Sequence, residues 1–157
     1  MQLGHTAIAA RIPHTGRMCL LDRVLQWDAN GIRCSATSHR DRDNPLREAG
    51  GLATLAGIEY AAQAAAVHGS LLRNETAPRS GVLAALKNVM ATQQWLHEIA
   101  GDIAIEANLL HSDPAGGIFS FAVLAGKASE LHDLRVLSGQ FTLMYIDAVN
   151  QLQEHDA

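Results

Sequence analysis

Apolar and polar positions along the chain change period several times, and the changes mark out the elements. Met18–Trp27 (MCLLDRVLQW) reads as a strand, and Asp28-Ala29-Asn30-Gly31 ends in Asn-Gly, the strongest short hairpin signal. Ile32–Ser38 returns as its partner, and residues 39–51 (HRDRDNPLREAGG) are polar, with Asn-Pro and Gly-Gly, and predict a loop. Leu52–Leu72 (LATLAGIEYAAQAAAVHGSLL) is Ala-rich and free of Pro, which predicts one long helix. Asn74–Ser80 is a turn. Gly81–Ala91 is strand-like, with helix as the alternative. Asp102–His111, Ile118–Lys127 and Arg135–Ile146 predict further strands, with a turn at Ser112–Gly117. Ala128–Leu134 either extends a strand or forms a bend.

The helix is apolar on nearly every face, so it must be surrounded rather than laid on a surface. Strands before it and strands after it predict an α+β domain. The simplest arrangement is an antiparallel sheet of five to six strands curved around that one central helix.

Composition narrows the class. The 157 residues suit a single domain, 1–157, without repeats or a linker. Hydrophobic residues at 48% against 18% charged exclude a disordered chain. No apolar run reaches the roughly 20 residues of a membrane helix without interruption, so no membrane span is expected. The net charge of −4, with basic residues dispersed, argues against nucleic acid as a partner. Cys19 and Cys34 form no CxxC and read as reduced core thiols. The N-terminus lacks the pattern of a secretory signal, and the expected location is cytoplasmic.

Candidate chemistry lies in the helix. Glu59 is its one acidic residue, near the middle of the apolar stretch. Desolvation there favours the protonated carboxyl, which makes Glu59 a general acid/base candidate. The plainer alternative is a glutamate pointing outward or paired with an arginine. Gln63 lies four residues on, on the same face, within hydrogen-bonding reach. Ala56 and Ala62 leave room beside the carboxyl for a ligand. Gly50-Gly51 precede the helix, where backbone amides and the helix dipole could meet a carbonyl oxygen, although Gly-Gly before a helix is more often just a turn. His14, after Pro13, and His39, at the mouth of the 39–51 loop, are the competing histidines among the eight present. No HExxH, GxSxG, P-loop or GxGxxG occurs, so no metal or nucleotide site is expected.

These residues together resemble a known family. Ile12–Trp27 (IPHTGRMCLLDRVLQW), with Pro13-His14 and Leu21-Asp22-Arg23-Val24, is similar to the opening of bacterial 3-hydroxyacyl-[acyl-carrier-protein] dehydratases. Gly57–Gly69, with Glu59 and Gln63, looks like their helix, whose Glu-x-x-x-Gln carries the catalytic carboxylate. The resemblance is good over the first half of the chain and rests on strand pattern over the second. It is best with a divergent branch found with aryl polyene or related polyketide pathways. It implies the hot-dog fold, and dehydration of a 3-hydroxyacyl thioester to the trans-2-enoyl thioester without a cofactor. The usual dehydratases carry their base in a Gly-His-Phe-Pro loop; the corresponding stretch here, Asn44–Gly57, contains no histidine.

The resemblance therefore gives the base to His14, with His39 as the fallback, and the acid to Glu59, held by Gln63. Amides near Gly51 and Leu52, or at Gly57, would polarise the thioester carbonyl, and Ala56 and Ala62 would line an acyl tunnel. The substrate would be a thioester of acyl carrier protein or CoA. Arg40, Arg42, Arg47 and Arg79 would dock the acidic carrier, unless they pair with Asp41, Asp43 and Glu48. The family also implies a homodimer joined edge to edge, with Gly81–Ala91 as the edge. A non-catalytic partner subunit and a thioesterase are the alternatives.

Overall fold

A computed structural model describes residues 2–126 and 134–155. Seven strands form one sheet: β1 (Leu3–Gly4), β2 (Arg23–Trp27), β3 (Gly31–Ala36), β4 (Gly81–Ala91), β5 (Ile103–Asp113), β6 (Gly116–Ala125) and β7 (Leu134–Tyr145). Their spatial order is β1-β2-β3-β5-β6-β7-β4, and every pairing is antiparallel. The helix α2 (Gly57–Arg73) joins β3 to β4 and packs on β3, β5 and β6. This is the expected α+β hot-dog arrangement, with more strands than the five to six predicted because Leu3–Gly4 adds a short edge to β2.

The helix begins later than its composition suggests. Leu52 and Ala53 are drawn into extended pairing: Leu96 donates its amide to the Leu52 carbonyl at 2.8 Å, and Ala53 bridges Trp95. Thr54–Ala56 then form a single 3₁₀ turn. Asn74, at φ 53°, ends the helix in the left-handed conformation that an asparagine tolerates. Ten of the seventeen helix residues are buried, Tyr60, Gln63 and His68 among them.

The first strand is also shorter than predicted. Residues 11–22 form an irregular strap outside the sheet strands, broken by a 3₁₀ turn at Gly16–Met18. The apolar run Cys19-Leu20-Leu21 reflects this strap's burial against the core rather than pairing in a sheet. At the hairpin, Asp28 Oδ1 accepts the amides of Asn30 and Gly31, at 2.7 and 3.1 Å, which closes the turn. Two helices escaped the pattern: α1 (His5–Ala9), which buries Ile8, and α3 (Ile146–His155). Of the stretch 128–134, only Leu134 lies within the described residues, where it opens β7.

β4 occupies one end of the sheet, as expected of the edge strand. Among the described residues only β7 pairs with it, and Val82, Leu86 and Met90 are 42%, 50% and 68% exposed along it. Among the described residues no helix is long and apolar enough to cross a membrane.

Candidate active site

The site forms where the N-terminal strap crosses α2. Ile12, almost fully buried, anchors the segment that carries Pro13 and His14. Gln63 clamps the strap from the helix side. Its Oε1 accepts the Leu20 amide at 3.0 Å, and its Nε2 donates to the Met18 carbonyl at 2.7 Å. A backbone N–H and a backbone C=O can each play only one part, so this pair fixes the orientation of the side-chain amide. The same Nε2 lies 3.3 Å from Glu59 Oε1.

With the strap held there, His14 Nε2 stands 3.0 Å from Glu59 Oε1. The two side chains are 30% and 31% exposed. Glu59 thus opens on a cavity instead of facing the core, and the desolvation expected of it is only partial. His14 Nδ1 is buried without a partner among the described residues.

The cavity, about 100 Å³, is lined by Pro13, His14, Glu59, Ala62 and Ala66, and closed by Arg11, Leu83, Leu143 and Tyr145 with Arg73 and Arg79. A second cavity of about 190 Å³ lies farther along α2, beside Ala65, His68, Gly69 and Phe119. Glu59, Ala62, Ala66, Gly69 and Arg73 recur at helical spacing, so one stripe of α2 runs past both. The small residues on that stripe make the space. Their spacing was legible in the sequence. The approach of Arg11, Arg73 and Tyr145 was not, because it depends on which strands pair.

Other expected site residues are placed elsewhere. His39 is fully buried, and its Nε2 lies 3.0 Å from the Ile99 carbonyl. Burial holds its imidazole below the usual histidine value. It does not line the cavity of Glu59. The amides proposed for the thioester carbonyl are already engaged. Gly51 donates to the Glu48 carbonyl at 3.0 Å, Leu52 to His97 Nδ1 at 3.0 Å, and Gly57 caps the preceding 3₁₀ turn. Gly50 and Gly51 are glycine for packing: an added Cβ would come within 2.4 Å of Trp95 and 2.1 Å of His97. Ala56 packs against the core and is not a wall of the cavity, whereas Ala62 is.

Arg79, expected to dock a carrier, instead lays its guanidinium 3.7 Å above the Tyr145 ring. Arg40 donates to the Ala100 carbonyl and approaches Asp102, and Arg47 donates to the Asp41 carbonyl. Asp43 is taken by Arg17. Among the described residues no three His, Cys, Asp or Glu side chains are grouped to hold a metal.

A model of the ApeP-like family, described as ApeP dehydratase, matches residues 6–154. The chain belongs to this dehydratase family. The match covers the strap with His14, the helix with Glu59 and Gln63, and the later strands. The ApeP-like chain is similar in fold to the dehydratase heterocomplex ApeI:P from Xenorhabdus doucetiae, with a TM-score of 0.74 and 23% identity over 93% of this chain and 96% of that one. It also shares its fold with zebra fish thioesterase superfamily member 2 (TM-score 0.58, 13% identity, 90% and 94% covered) and with S. sahachiroi AziG (TM-score 0.52, 13% identity, 78% and 88% covered). No curated protein sequence matches it.

Proposed function

We propose that this ApeP-like dehydratase acts on a 3-hydroxyacyl thioester, with His14 as the base at C2 and Glu59 as the acid at the 3-hydroxyl. The observation that carries the reading is the 3.0 Å contact between His14 Nε2 and Glu59 Oε1 at the wall of a cavity. The reaction starts with neutral His14 and protonated Glu59. The imidazole takes the α-proton, the C3–O bond breaks, and the carboxyl proton leaves with hydroxide as water. The pair is then imidazolium and carboxylate, and one proton crossing the contact restores it. The two states of the pair carry the same net charge, so neither direction of the reaction requires a proton from solvent.

Gln63 holds both partners in register. Because the amides of Gly51, Leu52 and Gly57 are committed, the thioester carbonyl needs another donor. Arg11 lines the cavity, and its buried Nε has no partner among the described residues. It is the donor this reading assigns, in the role of an oxyanion-hole group.

The exposed apolar edge of β4 supports association with a second hot-dog chain. The fold similarity to a dehydratase heterocomplex supports a different chain in that place, and a homodimer is the alternative. Sedimentation separates these: the protein alone runs as a 16.8 kDa monomer or as a dimer, and a heterologous hot-dog partner shifts it only in the first case.

The test of function is incubation with a 3-hydroxyacyl carrier protein or CoA, followed by mass analysis. Loss of water with the thioester intact is the expected result. Release of the free thiol would make the chain a thioesterase, and no change would leave the dehydratase reading without support.

A further inference from the structure

Tyr145 is the last residue of β7, and it stands where the two cavities along α2 meet. Arg73, Arg79, Leu143 and Tyr145 line both. The tyrosine is held from several sides. Its hydroxyl accepts a hydrogen bond from Arg73 Nη1, and the Arg79 guanidinium covers its ring at 3.7 Å. On α2, Gly69 makes room for the contact: a Cβ there would sit 3.1 Å from the Tyr145 hydroxyl and 3.0 Å from Arg73 Nη1. Both guanidiniums are also tied to carboxylates, Arg73 to Glu75 at 2.8 Å and Arg79 to Asp147 at 3.4 Å. Their charges are therefore matched locally, and the cluster suits a fixed partition better than an anion site.

We infer that Tyr145, clamped by Arg73 and Arg79, is the stop that sets how long an acyl chain this dehydratase accepts. The inference rests on the proposed thioester substrate. A chain whose thioester lies at His14 and Glu59 follows the small residues Ala62 and Ala66 along α2 and meets the phenol ring. Beyond it lies space that the reaction does not use, walled by Ala65, Gly69, Leu109 and Phe119. Removing the ring joins that space to the first cavity. Tyr145 is thus a specificity-determining residue, and the ligand class of the second cavity is the distal end of an unbranched, apolar acyl chain.

Two measurements test this. The first is turnover of 3-hydroxyacyl-pantetheine thioesters of about four to about twelve carbons, read as the ratio of long-chain to short-chain kcat/KM. Each methylene newly buried is worth about fourfold. Tyr145→Ala should raise the ratio by on the order of a hundredfold, as about three or more methylenes enter the second cavity. Tyr145→Phe, which keeps the ring but loses the bond to Arg73, should raise it less. Adding Leu109→Trp to Tyr145→Ala refills the second cavity and should abolish the gain. An unchanged ratio in Tyr145→Ala, or a gain that survives Leu109→Trp, overturns the proposal.

The second measurement needs no turnover. Calorimetric titration with S-alkyl pantetheine thioethers of the same lengths should show affinity rising with chain length and then levelling off in the wild type, and rising further in Tyr145→Ala. If the thioethers behave so but no 3-hydroxyacyl thioester is dehydrated, the stop stands and the substrate reading fails. If affinity climbs identically in both proteins, or no thioether binds, the stop is refuted.

Discussion

The Leu20 amide donates to Gln63 Oε1 at 3.0 Å, across 43 residues of sequence. Through this bond and its companion to the Met18 carbonyl, one helix side chain holds the strap whose earlier residues include His14, on the same helix face that presents Glu59. A third residue thus ties the strap that carries His14 to the helix that carries Glu59.

Gln63→Leu should separate the effects of that clamp. It strands a buried amide and a carbonyl, which costs about 1–3 kcal/mol for an unsatisfied buried group. Urea unfolding should register this loss. Dehydration should fall further than the stability loss explains, because His14 is no longer held at Glu59. Full activity in the folded variant would show that the strap is positioned by other contacts.

Glu59→Gln preserves shape and hydrogen bonding but removes the titratable proton. It should slow dehydration by on the order of a hundredfold or more, the scale of a general acid–base group. His14→Ala should act similarly. Because the two groups share one proton, the double variant should be little slower than either single variant. Additive losses would mean that the residues act independently.

His39 bears on stability rather than chemistry. Burial lowers its pKa in the folded protein below the ordinary histidine value of about 6.5. The unfolded chain therefore binds a proton first as pH falls. This contribution is constant above about pH 7, diminishes as pH drops below 6.5, and stops changing once the folded pKa is passed. Wild type should accordingly lose more stability than His39→Gln between pH 7.5 and 5.5 in denaturant titrations, as expected over about the histidine range. Equal slopes would contradict the assignment, as would a hundredfold loss of dehydration in His39→Gln.

Gly51 has φ +122°, and an added Cβ would lie 2.1 Å from the His97 ring. Gly51→Ala should destabilise the fold by about 2 kcal/mol or more, combining backbone strain with a clash. Thermal melting measures this directly. A variant as stable as wild type would reopen Gly51 as a ligand contact.

Cys34 is fully buried, and burial pushes its thiol up to about 12. Since the thiolate is the reactive form, Cys34 should resist maleimide in the native protein and react only on unfolding. Mass analysis of labelled native protein reads the outcome.

Much of the architecture was written in local pattern. Ala-rich, Pro-free residues 57–72 are helical because propensity and uniform apolarity agree there. Gly81–Ala91 forms a strand with the predicted bounds, and Glu59 and Gln63 share a face because four residues make about one helical turn.

The resemblance prefers His14 to His39 on motif order alone, and the tertiary structure supplies a physical distinction between them. Both are single histidines in polar surroundings, and only the crossing of the strap over α2 brings one to Glu59 while burying the other against Ile99. The same holds for Gly51 and Leu52. Their amides stood free for a ligand in the sequence, but pairing with Glu48 and His97 consumes them. Tyr145, Arg73 and Arg11 carry no local signal at all. They meet at the cavity because β7 ends there, beside the end of α2 and the start of the strap. Periodicity reports which face of an element is buried; it holds no information about which distant backbone groups find one another. Hydrogen-bond partners and cavity walls in this protein are decided by those long-range pairings.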